Sequence, residues 1–144
     1  MTAPPRGAGG GRALILLDTS LWVELFRRPA RLKLEAICDF EEIVTCLPVV
    51  QEVLQGFQDE GTYRLARRSM LALPIVEVPL RTEVFLEASQ LYRSARRAGF
   101  TVRSGVDCLI AACAVRNGLA VAHRDRDYDL LAQVSLLQVR SVSI

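Results

Sequence analysis

Short apolar runs alternate along this chain with longer amphipathic stretches. Residues 13–17, Ala-Leu-Ile-Leu-Leu, are unbroken by a polar residue, the pattern of a strand covered on both faces. Thr19 and Ser20 then open a helix with Leu21, Trp22, Leu25 and Phe26 apolar, ending near Pro29, and a second short helix is read over about 30–39. Glu42 to Cys46 gives a short strand. Pro48 stands at a first helical position, and its helix carries Val49, Val50, Val53, Leu54 and Phe57 before stopping by Gly61. Residues 62–73 read as a helix exposing Arg64, Arg67 and Arg68, 74–78 as a strand, and 81–98 as a long amphipathic helix ended by Gly99. Ser104 to Asn117, closed by Gly118, is the most apolar helix; a strand at 119–122, a helix at 126–133 and a strand at 136–140 complete the chain. Strands alternating with helices predict an α/β fold, a three-layer α/β/α sandwich around a parallel sheet. In such sheets a site lies beyond the carboxyl ends of the strands.

Acidic residues interrupt this pattern where a carboxylate is costly. Asp18 ends the first apolar run, and Asp107 precedes Cys108-Leu109-Ile110-Ala111-Ala112. Glu52 lies among Val49, Val50, Val53 and Leu54, while Asp125 and Asp127 follow the apolar strand that begins at Leu119. Carboxylates buried close together cannot all stay ionised without a counter-charge. No lysine is near any of them in sequence, so a divalent cation is the economical counter-charge. Three of the aspartates also have a purely structural reading. Asp18 and Asp125 can cap the helices that follow them, and Ser104 with Asp107 makes a Ser-x-x-Asp capping box. Glu52 escapes capping, because it lies several residues into its helix. At ~100° per residue it falls with Gly56 on the edge of the apolar face; the plain alternative there is a boundary glutamate paired with an arginine.

The 144 residues suffice for one domain with a proper core, taken as 13–144, preceded by a Pro- and Gly-rich extension, 1–12, expected to be disordered. No apolar region is long enough for a signal peptide or a membrane span. The net charge of +2 does not by itself imply a nucleic-acid partner, but of 18 basic residues only Lys33 is not arginine, the better phosphate fork. Cys38, Cys46, Cys108 and Cys113 form no Cys-x-x-Cys pair and no histidine is spaced to join them, which argues against zinc and suits a reducing cytosol. An aspartyl-nucleophile phosphohydrolase needs a second Asp where Ser20 stands, and a phospho-receiver domain needs a lysine after a late strand, where Lys33 is not.

Taken together, Leu-Leu-Asp-Thr-Ser, Pro-Val-Val-Gln-Glu-Val-Leu-Gln-Gly, Ser-Gly-Val-Asp-Cys-Leu-Ile-Ala-Ala-Cys-Ala and His-Arg-Asp-Arg-Asp-Tyr-Asp resemble the PIN-domain ribonucleases, and within them the VapC toxins of toxin–antitoxin pairs. The likeness spans about residues 13–142, with the four acidic motifs in the family's order. It implies a PIN-like sandwich and a Mg²⁺-dependent endoribonuclease, with Mn²⁺ able to substitute, whose water attack leaves a 5′-phosphate and a 3′-hydroxyl. Asp18, Glu52 and Asp107 match the first three acids; Asp125 matches the fourth, with Asp127 the near alternative. Ser20 matches a hydroxyl near the metal, and Ser104 is a further supporting candidate. His123 stands where many members have Thr; it reads as a strand-end residue rather than a general base.

The same resemblance implies an RNA substrate, such as a tRNA loop, a VapB-like antitoxin, a two-fold homodimer and a cytoplasmic setting. Arg93, Arg96, Arg97, Arg103, Arg124 and Arg126 are the candidate RNA-backbone contacts, against the plain reading of a solvated face. Arg64, Arg67 and Arg68 form a weaker patch, and Trp22, Phe26 and Tyr92 read as core or interface. The first helix with the 30–57 region is the expected antitoxin groove. The 81–98 helix, with Val84, Phe85, Ala88, Leu91 and Tyr92 on one side, is the expected dimer surface. A housekeeping PIN nuclease and an inactive PIN scaffold are the alternatives.

Overall fold

A computed structural model describes residues 13–144; the disorder expected for 1–12 lies outside the described residues. Five strands, β1 (Ile15–Leu17), β2 (Ile43–Cys46), β3 (Ile75–Val76), β4 (Ala120–His123) and β5 (Gln138–Ser141), form one sheet in the order β3-β2-β1-β4-β5. All four pairings are parallel, with Ile15 opposite both Ile43 and Ala120. Every residue of β1 and β2 is buried. Because successive side chains point to opposite faces, this requires cover on both sides of the sheet, as the unbroken apolar runs predicted. The helices supplying it are α1 (Thr19–Phe26), α2 (Leu47–Gln55), α3 (Glu60–Leu71), α4 (Thr82–Arg97), α5 (Gly105–Arg116) and α6 (Arg126–Gln133). The strand order turns back between β1 and β4, so their carboxyl ends flank a crevice that no crossover helix fills. Asp18 follows β1 directly; its N–H donates to the Ala122 carbonyl at 2.9 Å, which carries the β1–β4 ladder to the crevice mouth.

Most element ends shift by one or two residues from the sequence reading, and three segments differ in kind. The helix expected over 30–39 is irregular chain with two single 3₁₀ turns, Leu34–Ala36 and Phe40–Glu42. Leu32 and Ile37 anchor it to the core at a spacing that no helix face repeats, and Arg140 donates to the Ile37 carbonyl. Gly61 does not stop α2. That helix ends at Gly56, and Gly61 lies in the first turn of α3, where Asp59 Oδ2 accepts from Thr62 N–H at 2.8 Å. The strand expected over 74–78 shrinks to Ile75–Val76, because Glu77 takes φ 58° and turns the chain. Its buried carboxylate accepts from Arg116 Nε and Asn117 Nδ2, each at 3.0 Å.

On α1, the face of the expected groove is divided between core and surface. Leu21 and Trp22 are core residues, whereas Leu25 and Phe26 are partly buried, Phe26 packing edge-on against Phe57. On α4, Val84 and Ala88 belong to the core, whereas Phe85 and Leu86 are exposed. No helix among the described residues is long and apolar enough to cross a membrane.

Candidate metal centre

Asp18 caps α1, and its carboxylate also lies beside Glu52 and Asp107 in the crevice. Its Oδ2 accepts from Ser20 N–H at 3.2 Å and Ser20 Oγ at 2.8 Å, while its Oδ1 accepts from the Tyr128 hydroxyl at 2.6 Å. Both oxygens are thus held by donors; Oδ2 accepts twice, while Oδ1 accepts once and keeps a lone pair for another partner. Glu52, one turn into α2, is half-buried, and its Oε1 accepts from Thr19 Oγ1 at 2.8 Å. Asp107, in the first turn of α5, is buried with its Oδ1 3.3 Å from the Tyr128 hydroxyl. Ser104 caps α5 by accepting from Val106 N–H at 3.2 Å, and Asp107 is placed at the crevice instead of completing a capping box.

Asp125 and Asp127 come from the turn between β4 and α6. Asp125 Oδ1 caps α6 through Asp127 N–H at 3.0 Å and accepts from the Arg103 guanidinium at 2.9 Å. Asp127 Oδ2 accepts from Arg103 N–H at 3.0 Å and Nε at 3.3 Å. Asp127 is 1 % exposed, and its Oδ1 has no hydrogen-bond partner among the described residues.

The five acids therefore meet in two overlapping groups. Asp18, Glu52 and Asp107 offer ligand oxygens within 4.8 Å of one another, and so do Asp107, Asp125 and Asp127. Asp107 is common to both. Burial, then the charges of Asp18, Asp125 and Glu52, push its carboxyl up to about 7. Glu52 is shifted upward as well, mainly by burial, and the Tyr128 hydroxyl is held neutral by burial and by Asp18 and Asp107. An all-oxygen donor set with a shared carboxylate and one orphaned buried oxygen fits a hard divalent cation.

Around this centre the other expected residues divide. Ser20 Oγ also accepts from Arg124 N–H at 3.4 Å, linking α1 to the β4–α6 turn. His123 is buried; its Nδ1 accepts from Asp125 N–H at 3.1 Å, which leaves Nε2–H to donate to Asp129 at 3.1 Å. It is a strut for the Asp125 turn, as its place at a strand end suggested. Arg103 and Arg124 are paired with carboxylates, Arg124 with Glu24 at 3.2 Å. Arg93, Arg96, Arg97 and Arg126 have no carboxylate partner among the described residues. Arg93, Arg96 and Arg97 gather at the end of α4, with Arg96 over the Tyr92 ring at 5.1 Å. Three residues escaped sequence reasoning: Tyr128, Thr19 and Glu24. Glu24 is buried and held ionised chiefly by Arg31, at 2.9 Å. Its signal was an acid inside the apolar helix Leu21–Phe26, one turn after Ser20.

Residues 15–134 match the PIN domain family. Two curated relatives, Ribonuclease VapC11 of Mycobacterium tuberculosis and a VapC ribonuclease of Mycobacterium bovis, are each 41% identical over 133 residues, 89% of this chain and 98% of theirs. Among solved structures, VapBC2 from Rickettsia felis bound to a promoter DNA fragment aligns with TM-score 0.72 at 13% identity, covering 90% of this chain and 99% of that one. DNA-bound VapBC from Salmonella typhimurium aligns with TM-score 0.71 at 15% identity, covering 90% and 98%. At such identities the structural matches speak for the fold, and the sequence relatives carry the finer assignment: this chain belongs to the PIN-domain family, in its VapC branch.

Proposed function

We propose that the protein is a Mg²⁺-dependent endoribonuclease, with Mn²⁺ able to substitute, and the toxin of a VapBC-type pair in the cytoplasm. The observation that carries this reading is the convergence of Asp18, Glu52, Asp107, Asp125 and Asp127 on one crevice. Asp18, Glu52 and Asp107 would hold the ion, and Asp125 and Asp127 complete the acidic wall. A bound Mg²⁺ supplies an acidified water and charge compensation at the scissile phosphate. Ser20 and Tyr128 fix the Asp18 carboxylate from two sides. His123 and Arg103 fix the Asp125 turn. Arg93, Arg96, Arg97 and Arg126 are free to hold the RNA backbone. A complete acidic set favours this reading over an inactive scaffold. The sequence relatives, named as VapC ribonucleases, and the VapBC complexes among the structural neighbours favour a toxin with a VapB-like antitoxin over a housekeeping nuclease.

Incubation of total RNA tests the activity. Cleavage is expected with Mg²⁺, none with EDTA, and a loss of at least about a hundredfold in Asp18→Asn, as for removal of one group that stabilises developing charge. Wild-type rates in the variant would remove the centre from the reaction. The dimer rests on Leu86, 60% exposed beside a hollow between α4 and α5 lined by Leu91 and Val115. Light scattering should give twice 16.0 kDa.

A further inference from the structure

A second hollow, of about 240 Å³, lies beside Glu52 among α2, α4 and α5. We propose that it is a base subsite, which takes one unstacked nucleobase of single-stranded RNA next to the scissile phosphate; this rests on the ribonuclease reading above. Four features point there. Glu52 is shared by the hollow and the Asp18–Glu52–Asp107 group, so a phosphate at the acids sets its own nucleotide's base at the mouth. Phe85, 51% exposed, and Leu47, 38% exposed, offer solvent-facing apolar surface with Leu109 behind them, and bases splayed from single strands stack on such surface. Gln51 and Gln55, one turn apart on α2, present side-chain amides that bond to no other described residue. Each amide offers both donor and acceptor to a base edge. No arginine or lysine lines the hollow to pair with a phosphate, so the site suits a base and not the backbone. Its volume is below the ~300 Å³ at which pockets for drug-sized ligands begin, which matches a single ring system.

The test uses a pool of short oligoribonucleotides randomised around the cut, cleaved with Mg²⁺ by wild type, Phe85→Ala and the double variant Gln51→Ala/Gln55→Ala. All three altered residues are exposed, and matched denaturation curves establish that the variants fold. Wild type should prefer one base beside the cut. Phe85→Ala should raise KM roughly tenfold, the usual scale of one lost base stack, with the loss carried by KM rather than kcat. The double variant should flatten the base preference. Unchanged KM and an unchanged base distribution in both variants, with active wild type, would overturn the subsite and leave the nuclease reading standing. An inactive wild type would overturn both. Variants that lose a dimer or an antitoxin but keep the base distribution would assign the hollow to that protein partner and overturn the proposal.

Discussion

Tyr128 puts a single hydroxyl 2.6 Å from Asp18 and 3.3 Å from Asp107, two carboxylates that belong to different elements of the chain. Removing that oxygen leaves a ring of nearly the same shape in a fully buried place, so Tyr128→Phe should fold normally. It should lose roughly ten- to a hundredfold in Mn²⁺ affinity or cleavage, the scale for partners that orient metal ligands. Isothermal titration with Mn²⁺ measures this, and wild-type affinity together with wild-type cleavage would refute it. Asp107 makes a second prediction, for the metal-free protein. The unfolded chain releases this proton near its ordinary value of 3.8, whereas the fold keeps it to about 7. Its contribution to stability is therefore full below about pH 4 and is lost as the pH rises to about 7, and Glu52 shifts the same way. Melting curves in EDTA should fall across that window, and Mg²⁺ should remove the fall; a flat profile in EDTA would contradict it. The acids were legible in the sequence because a carboxylate inside an apolar run has few cheap explanations. Tyr128 was not, because an aromatic residue at helical spacing looks the same whether its hydroxyl meets a carboxylate or solvent.

The ends of helices were readable where glycine does steric work. Gly99 adopts φ 90° and Gly118 φ 64°, and each closes its helix by the pair of bonds expected of a left-handed terminus: Gly99 N–H to Arg96, Phe100 N–H to Ala95, Gly118 N–H to Val115 and Leu119 N–H to Ala114. A methyl at Gly99 meets nothing within 4 Å, so Gly99→Ala isolates the backbone cost. It should lose about 1–2 kcal/mol in denaturant titration with cleavage retained; a loss near zero would mean that the terminus relaxes. Gly61 misled because a glycine is also tolerated in a first turn that a side chain caps, and Asp59 does so here. Residues 30–39 misled because their order comes from two distant anchors and the Arg140 side chain, none of it periodic along the segment.

At the scale of the molecule, alternating apolar runs were enough for the layers and for the parallel sheet. The order β3-β2-β1-β4-β5 was not derivable from them, since it depends on which crossover passes over which strand. That order makes β1 and β4 neighbours and so joins the first acid to the last two. The surface around them was the less legible part. Six arginines were expected to meet RNA, and two of these, Arg103 and Arg124, are already neutralised by the protein's own acids. This internal pairing has a thermodynamic consequence for the polyanion. Only an unpaired guanidinium displaces condensed cations from RNA, about 0.7 for each phosphate met on a single strand. With Arg93, Arg96, Arg97 and Arg126 engaged, the logarithm of the binding constant of catalytically inactive Asp18→Asn should fall with log salt at a slope near −3 per protomer. Fluorescence anisotropy over a monovalent-salt series reads that slope directly. A slope of about −4, the value for six contacts, would mean that RNA pulls Arg103 and Arg124 off their carboxylates, so that substrate would itself unlock the acidic crevice and leave Asp125 and Asp127 bare as it docks.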